Sequence, residues 1–255
     1  MKVTVCELSD TRVAREEEWT GLVEHCRRER TELMLLNEMP FSPWLARNEI
    51  PDQSAWMSAV IEHQSWLRAF LDLVPTTVLG ADPVVDDGSN YNEAFAWSAM
   101  AGRRATHRKY YLPDEPGFWE ARWYKRGPKE FVTIEAGDAR VGFLLCTEMW
   151  FTEHARSYAG QGVEILAVPR ATELASADKW LAGGRAAAVM SGAFCLSSNR
   201  GGESAGTVWG GNGWIIDPDG DVLAVTSKDE PFVTVDIDLA VAQAAKISYP
   251  RYVSE

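Results

Sequence analysis

Short apolar runs alternate with amphipathic segments along most of the 255-residue chain. Period-two alternation predicts a first strand in "KVTVCEL", and compact apolar runs predict further strands in "ELMLLNEM", "EILAVP" and "AFCLSSN". Apolar positions at helical spacing predict helices over residues 13–29, 52–74, 152–161 and 174–190. Because strands that alternate with helices pair in parallel, this order predicts a layered α/β domain.

The remaining segments complete the predicted sheet. "TTVLGADPVV" and "NEAFAWSAM" are typical of strands, and "EFVTIEAGDARVGFLLC" predicts two strands joined by a turn at Gly137–Asp138. Short late strands with turns at "GGNG" and "DPDG" indicate that the sheet is mixed. We expect Asp52 to start the second helix, whose predicted core side is Trp56, Val60, Ile61, Leu67 and Phe70. Since no linker composition divides the chain, we predict one domain over residues 1–255.

Charge and composition narrow the class of protein. A net charge of −12 argues against nucleic acid and against an anionic membrane as partners. No segment has the apolar length of a membrane-spanning helix, and the N-terminus starts with a strand pattern instead of a signal peptide. The four cysteines are scattered without a CxxC pair, and the four histidines are dispersed. We therefore expect a reduced, cytoplasmic protein with no metal and no cofactor.

The stretch "GFLLCTEMWFTEHAR" places Cys146 where a buried strand gives way to a helix. A thiol at that position lies at the carboxyl edge of a sheet, where α/β proteins bind ligands, and nearby helix amides favour negative charge. Histidine is the usual partner of a reactive thiol. His154 falls within the next helix and His107 on a strand two residues before Lys109, so a Cys–His dyad has little support.

Glutamate and lysine offer Cys146 a better set of partners. Glu38 ends the apolar run "LMLLNE", and a carboxylate at such a strand end can serve as a base. Lys109 also ends a predicted strand, where its ammonium can balance a thiolate or an oxyanion. A loop rich in aromatic residues follows Lys109 and supplies a second carboxylate, either Glu115 or Glu120.

This ordered set resembles the nitrilase superfamily of carbon-nitrogen hydrolases, and the similarity covers nearly the whole chain. "LLNEMPF" is similar to the family's glutamate segment, "HRKYYLPDEPGFWEARWY" to its lysine segment and "GFLLCTEMWFTEHARSYAGQGVEIL" to its nucleophile segment. "SSNRGG" and "GNGWIIDPDGDVLA" resemble its late strands. The resemblance implies a four-layer αββα sandwich that pairs into dimers.

The resemblance also implies a role for each residue of a Glu-Lys-Cys triad. Cys146 would be the nucleophile, Glu38 the general base and Lys109 the stabiliser of the tetrahedral intermediate. Glu120 matches a second glutamate that positions substrate and base, with Glu115 as its rival. The backbone N–H of Thr147 would complete the oxyanion hole. The implied activity is hydrolysis of a small amide, with release of ammonia or an amine.

Several features leave the substrate open among amides, nitriles and carbamoyl compounds. Thr147-Glu148 stands where many relatives carry Trp-Asp or Tyr-Asp, although the "WFTEHAR" segment is most similar to N-carbamoyl amidases. Trp119 and Trp150 either form a substrate cage or serve as packing residues. Arg170 either binds a substrate carboxylate or, the interpretation we favour, pairs with Glu148 or Glu173.

Two expectations concern the protein as a whole. A catalytically silent binding subunit is the alternative to an enzyme, but an intact triad argues against it, because a silent protein has no chemical need for all three residues. We also expect helix 152–161 and the C-terminal "KISYPRYVSE" to expose aromatic side chains. Such a surface suits a homodimer or a larger homo-oligomer better than a monomer.

Overall fold

The computed structural model describes residues 1–74 and 76–253 and contains a large mixed sheet with helices around it. Its strands are β1 (Lys2–Ser9), β2 (Leu33–Glu38), β3 (Thr77–Asp86), β4 (Ser89–Ser98), β5 (Gly102–Arg108), β6 (Ile134–Ala136), β7 (Ala139–Phe143), β8 (Ile165–Pro169), β9 (Phe194–Gly201), β10 (Glu203–Ser204), β11 (Thr207–Val208), β12 (Trp214–Ile216), β13 (Val222–Val225) and β14 (Phe232–Asp236). Its α-helices are α1 (Arg12–Glu29), α2 (Gln53–Trp66), α3 (Glu120–Trp123), α4 (Thr152–Gly160), α5 (Ala177–Ser191) and α6 (Leu239–Ala245). Short 3-10 helices cover Leu45–Arg47, Ala69–Leu73, Cys146–Trp150 and Leu174–Ser176.

The strands run in the order β5-β4-β3-β2-β1-β9-β8-β7-β6. The central neighbours β3, β2 and β1 pair in parallel, as do β9, β8 and β7, while β4, β5, β6, β12 and β14 add antiparallel pairs. The two halves join through a short parallel pairing of β1 with β9, from Glu7–Asn199 to Ser9–Gly201. The predicted mixed sheet with parallel strands at its centre is confirmed.

Three apolar layers explain why the sheet folds back on itself. The inner layer contains strand residues of both halves, among them Val5 and Leu35 from one and Phe143 and Leu196 from the other. One outer layer packs α1 and the 3-10 helix Ala69–Leu73 against the first half. The other packs α4 and α5 against the second half. Helix, sheet, sheet and helix therefore follow one another, which confirms the expected αββα sandwich.

The helix predicted over residues 52–74 is shorter in the structure. Asp52 caps its start as expected, because its carboxylate accepts from the backbone N–H groups of Ser54 (2.8 Å) and Ala55 (3.1 Å). The α-helix ends at Trp66, and a tighter 3-10 turn then brings Phe70 onto the ring of Trp19. The prediction that Ile61 faces the core is wrong, since 62% of its surface is exposed.

The predicted aromatic surface is only partly present. Tyr158 of α4 is fully buried and donates its hydroxyl to the Phe143 carbonyl (2.9 Å), so the expectation of exposed aromatics inside helix 152–161 is wrong. Tyr249 and Tyr252 near the C-terminus are exposed. The last two residues of "KISYPRYVSE" lie outside the described residues. Within the described part of the chain, no helix combines the length and the apolar character needed to cross a membrane.

Candidate active site

The sheet delivers the three predicted catalytic residues to one place. Glu38 is the last residue of β2, Lys109 directly follows β5, and Cys146 comes three residues after β7. Each strand ends in the interior of the protein, and all three side chains are buried. Glu120 joins them from the first turn of α3, inside the loop that follows Lys109.

Lys109 holds this group of residues together. Its Nζ donates to Glu38 Oε1 (2.8 Å) and to both oxygens of Glu120 (2.9 Å to Oε1 and 2.7 Å to Oε2). The ammonium therefore bridges two carboxylates, and none of the three side chains is more than 1% exposed. Glu115, the rival second glutamate, is exposed. The structure thus brings Glu120, and not Glu115, into contact with Lys109.

Burial and charge act in opposite directions on this group. Burial alone would lower the pKa of Lys109, but the charges of Glu120 and Glu38 outweigh it, and the pKa lies well above its ordinary value. Burial raises the pKa of Glu120 to about 7, against the opposing effect of Lys109. Lys109 is therefore charged at neutral pH, and burial favours the protonated form of Glu120 more than in an exposed glutamate.

Two supporting residues escaped the sequence analysis. The Tyr124 hydroxyl donates to Glu120 Oε2, and Asn92 Nδ2 donates to Glu38 Oε1 (2.7 Å). Tyr124 directly follows the short helix α3, where its backbone is extended, so no helical spacing predicted its contact with Glu120. Asn92 gave no signal, because only the pairing of β4 with β3 brings it beside Glu38.

Glu38 keeps one oxygen free for chemistry. Its Oε1 accepts from Lys109 and Asn92, whereas Oε2 is buried and has no hydrogen-bond partner among the described residues. A buried carboxylate oxygen without a partner is unfavourable unless another group uses it. This oxygen can accept a proton that the neighbouring thiol or a bound substrate delivers.

The backbone at Cys146 adopts a conformation that is unusual for a residue with a side chain. Its φ is +49°, in the left-handed region, and such angles cluster at functional sites. Burial, together with the charge of Glu38, raises the pKa of the Cys146 thiol above its ordinary value, while Lys109 and the backbone N–H of Ala171 oppose that shift. The raised pKa favours the thiol form of Cys146, and a thiol needs a base before it can act as a nucleophile.

A cavity of about 250 Å³ opens onto this thiol. Cys146, Thr147 and Glu120 form part of its wall, which also contains these residues: Pro113, Glu115, Phe118, Ala171, Thr172, Glu173, Ser176 and Trp180. The small volume limits the ligand to a compact molecule. Trp180 comes from α5 and was missed, because its spacing in the sequence is that of an ordinary core residue.

Two predicted substrate-binding tryptophans lie elsewhere. Trp119 packs its ring under the Arg122 guanidinium (4.3 Å), and Trp150 is 44% exposed with its ring against Trp180 (4.9 Å). Neither contributes to the cavity wall. Of the two alternatives for these residues, the structure favours packing over a substrate cage.

Arg170 departs from both interpretations. It is buried and donates to Ser197 Oγ (2.7 Å), Thr172 Oγ1 (2.8 Å) and the Asn212 carbonyl (2.9 Å), and its guanidinium stacks on Trp214. Burial lowers its pKa to about 9. Among the described residues it makes no ion pair with a glutamate, so the favoured pairing with Glu148 or Glu173 is wrong. It is not part of the cavity wall either, and instead joins β8 to β9 and the following loop.

The histidines are engaged away from the thiol. His107 contacts the Glu148 carboxylate (2.8 Å), and His154 contacts the Tyr111 hydroxyl (3.0 Å). Neither lines the cavity that Cys146 faces. The geometry thus agrees with the sequence in giving a Cys–His dyad no support.

Fold and site together describe an αββα sandwich that buries a glutamate, a lysine and a cysteine at the ends of three strands. The chain belongs to the carbon-nitrogen hydrolase family, whose model matches residues 10–247. It is similar to N-carbamoylputrescine amidase of Oryza sativa subsp. japonica, with 29% identity over 60% of this chain and 56% of that enzyme. It is also similar to omega-amidase NIT2 of Homo sapiens, with 30% identity over 63% of this chain and 60% of that enzyme.

These alignments span less than two thirds of either relative. The structural likeness is more extensive: a carbon-nitrogen hydrolase from Helicobacter pylori G27 superposes with a TM-score of 0.88 over 99% of this chain and 94% of that one. At 21% identity this likeness shows a shared fold.

Proposed function

We propose that this protein hydrolyses a non-peptide C–N bond of a small amide or carbamoyl compound through a thioester on Cys146. The observation that carries the proposal is the Lys109 ammonium between Glu38 and Glu120, close to a thiol in the wall of a small cavity. Each part answers a need of acyl transfer: a nucleophile, a base and a positive charge for the oxyanion. Membership of the carbon-nitrogen hydrolase family supports the same chemistry.

The first half of the reaction forms the thioester. Glu38 accepts the thiol proton through its free Oε2 as the sulfur of Cys146 attacks the substrate carbonyl carbon. Negative charge develops on the carbonyl oxygen, where the Lys109 ammonium and the backbone N–H of Thr147 stabilise it. Glu38 then transfers the proton to the leaving nitrogen, the C–N bond breaks, and ammonia or an amine departs.

The second half returns the enzyme. Glu38 removes a proton from water, and the resulting hydroxide attacks the thioester carbonyl. The same two donors stabilise the second oxyanion, the C–S bond breaks, and the sulfur of Cys146 regains its proton from Glu38. Glu120 and Tyr124 take no proton in either half. They hold the Lys109 ammonium in place through the contacts described above.

The cavity wall indicates which substrates to test first. It contains Glu115, Glu120 and Glu173 and, within the described part of the chain, no lysine or arginine. An anionic amide would enter a field of carboxylates, whereas a neutral amide or a cationic carbamoyl amine would not. A nitrile could use the same triad and remains the alternative substrate class. A silent binding subunit is the non-enzymatic alternative.

A substrate panel separates these possibilities. Neutral amides, cationic carbamoyl amines, anionic amides and nitriles are incubated with the protein, and ammonia release is measured. Cys146→Ser is the matched control, because an alcohol is a far weaker nucleophile beside a carboxylate. We expect release from the first two groups by the wild type only. Release that persists in Cys146→Ser would contradict the proposal, as would a wild type inactive toward the whole panel.

We further propose that the protein acts as a homodimer or a larger homo-oligomer. The exposed rings of Tyr249 and Tyr252, together with the half-exposed Trp150, support this assembly. Light scattering at micromolar concentration tests it, and a stable monomer of 28.3 kDa would contradict it.

A further inference from the structure

A third buried carboxylate, that of Glu148, lies close to Glu38, Lys109 and Cys146 but outside the cavity wall. Glu148 is fully buried, and both of its oxygens are used as acceptors. Oε1 accepts from the backbone N–H of Tyr110 (2.7 Å), and Oε2 accepts from the backbone N–H of Leu145 (2.8 Å). The Nε2 atom of His107 lies 3.0 Å from Oε1 and 2.8 Å from Oε2.

These partners connect the two halves of the reaction centre. Leu145 directly precedes Cys146 in the chain, and Tyr110 directly follows Lys109. One carboxylate thus ties the backbone at the nucleophile to the backbone at the ammonium. The link is short, because one backbone N–H on each side donates directly to the carboxylate.

The His107 ring lies between two acceptors. Nε2 lies 2.8 Å from the Glu148 carboxylate, and Nδ1 lies 3.2 Å from the Glu130 carbonyl. A ring with a proton on Nε2 donates to the carboxylate, at the shorter of the two distances. Every partner of Glu148 is then a donor, which matches the acceptor capacity of a carboxylate.

We propose that Glu148 is a positioning residue for catalysis and that His107, through an N–H on Nε2, holds its carboxylate in place. Together they fix the separation of the Cys146 sulfur from the Lys109 ammonium. Neither contacts the cavity, so they act on the reaction only through the residues they hold. The assignment rests on the proposed function, in which sulfur and ammonium act on the same carbonyl group.

The contacts of Glu148 explain why its substitution should lower kcat. Glutamine at position 148 would turn an NH₂ group toward a backbone N–H or toward the ring N–H of His107, because all the partners are donors. The backbone on one side would then move. A displacement of about 1 Å at a reacting group can cost on the order of 100-fold in rate, so we expect kcat to fall about 10- to 100-fold. KM should stay within about twofold, because no substrate contact is lost.

The experiment compares Glu148→Gln and His107→Gln with Glu153→Gln. Glu153 is an exposed glutamate on α4, and its substitution should leave kcat and KM unchanged. Circular dichroism confirms folding, and the rate of Cys146 alkylation by iodoacetamide gives a measure of the site that needs no substrate. We expect both kcat and the alkylation rate to fall in the two test variants. A folded Glu148→Gln protein with kcat within twofold of the wild type would overturn the proposal, as would a loss confined to KM.

A spectroscopic measurement on the wild type covers the case in which the variants do not fold. Ring ¹⁵N shifts of ¹⁵N-histidine-labelled protein at pH 7 report whether one or both nitrogens of His107 carry a proton. We expect Nε2, which faces Glu148, to carry a proton, and an unprotonated Nε2 would overturn the proposal. If the wild type turns over no compound of the panel, the proposed function fails, while the alkylation rates and the nitrogen shifts still decide the role of Glu148.

Discussion

Removal of the Tyr124 hydroxyl tests how the lysine is held. In Tyr124→Phe, Glu120 Oε2 loses the donated hydroxyl and keeps the Lys109 ammonium at 2.7 Å. The hydroxyl lowers the pKa of Glu120 and so opposes the burial that raises this pKa to about 7. Without it, the carboxyl group should hold its proton to still higher pH.

The size of the effect follows from the kind of bond removed. A hydrogen bond to a charged group contributes about 1.5–3 kcal/mol, which corresponds to about one to two pH units. Because Glu120, Glu38 and Lys109 interact strongly, the measured shift is a change in the apparent pKa of all three residues together and not of Glu120 alone. If ionised Glu120 is needed to hold Lys109, the acid limb of the profile of kcat/KM against pH should move upward by that amount. Activity near neutral pH should then fall, while the plateau at higher pH recovers.

Tyr158→Phe is the matched control. It also removes a buried hydroxyl, one that donates to the Phe143 carbonyl and makes no contact with Glu120. In urea titrations, Tyr158→Phe should lose about 1 kcal/mol of free energy of unfolding and Tyr124→Phe about 1.5–3 kcal/mol, because only the Tyr124 hydroxyl donates to a carboxylate. Only Tyr124→Phe should move the acid limb. An unmoved limb, or an equal movement in both variants, would refute the reasoning.

Three further predictions concern charge, acid and thiol reactivity. Lys109→Met should abolish measurable ammonia release. It should also lower the free energy of unfolding by about 3–5 kcal/mol in urea titrations, because Glu38 and Glu120 lose their buried cation. A variant that keeps more than a tenth of the wild-type rate would exclude the oxyanion role. Burial lowers the pKa of His63 to about 3, so only the unfolded chain takes up this proton between pH 6.5 and 3, and stability should fall by about 3 kcal/mol from pH 6.5 to pH 4. Unfolding titrations should show a flatter fall in His63→Gln, and an equal slope in both proteins would contradict this. Brief iodoacetamide treatment should modify Cys146, the one cysteine in the cavity wall, in step with loss of activity, whereas peptide mapping should find the other three cysteines unmodified.

The sequence predicted the parts of the site that follow from strand ends. Glu38 and Cys146 follow apolar runs on strands that pair in parallel with their neighbours, and parallel strands bring such ends together. Lys109 instead follows the polar strand β5, which pairs in antiparallel with β4. Glu120 followed from the family resemblance, and the structure adds its contact with Lys109. The fold was predictable for the same reason, because the order of strands and helices leaves few ways to cover both faces of the sheet.

The misses have physical causes as well. Asn92 and Trp180 reach the site through pairing and packing between distant segments, which no local pattern reports. The pairing favoured for Arg170 was wrong because nearby charge was weighed without the hydroxyl and carbonyl acceptors that surround the buried guanidinium. The helical spacing of apolar residues places Ile61 on the core side, but in the structure α2 exposes this side chain to solvent.

The most direct test of the account is to trap the acyl-enzyme. Wild-type protein that is turning over a substrate from the panel is quenched in acid, digested and analysed by peptide mass spectrometry, with Cys146→Ser treated in parallel. The account predicts one adduct with the mass of the substrate acyl group, bound to the peptide that contains Cys146 and absent from the serine variant. An adduct on Cys6, Cys26 or Cys195 would contradict the assignment of Cys146 as the nucleophile. Steady turnover with neither an adduct nor an initial burst of product release would contradict it as well.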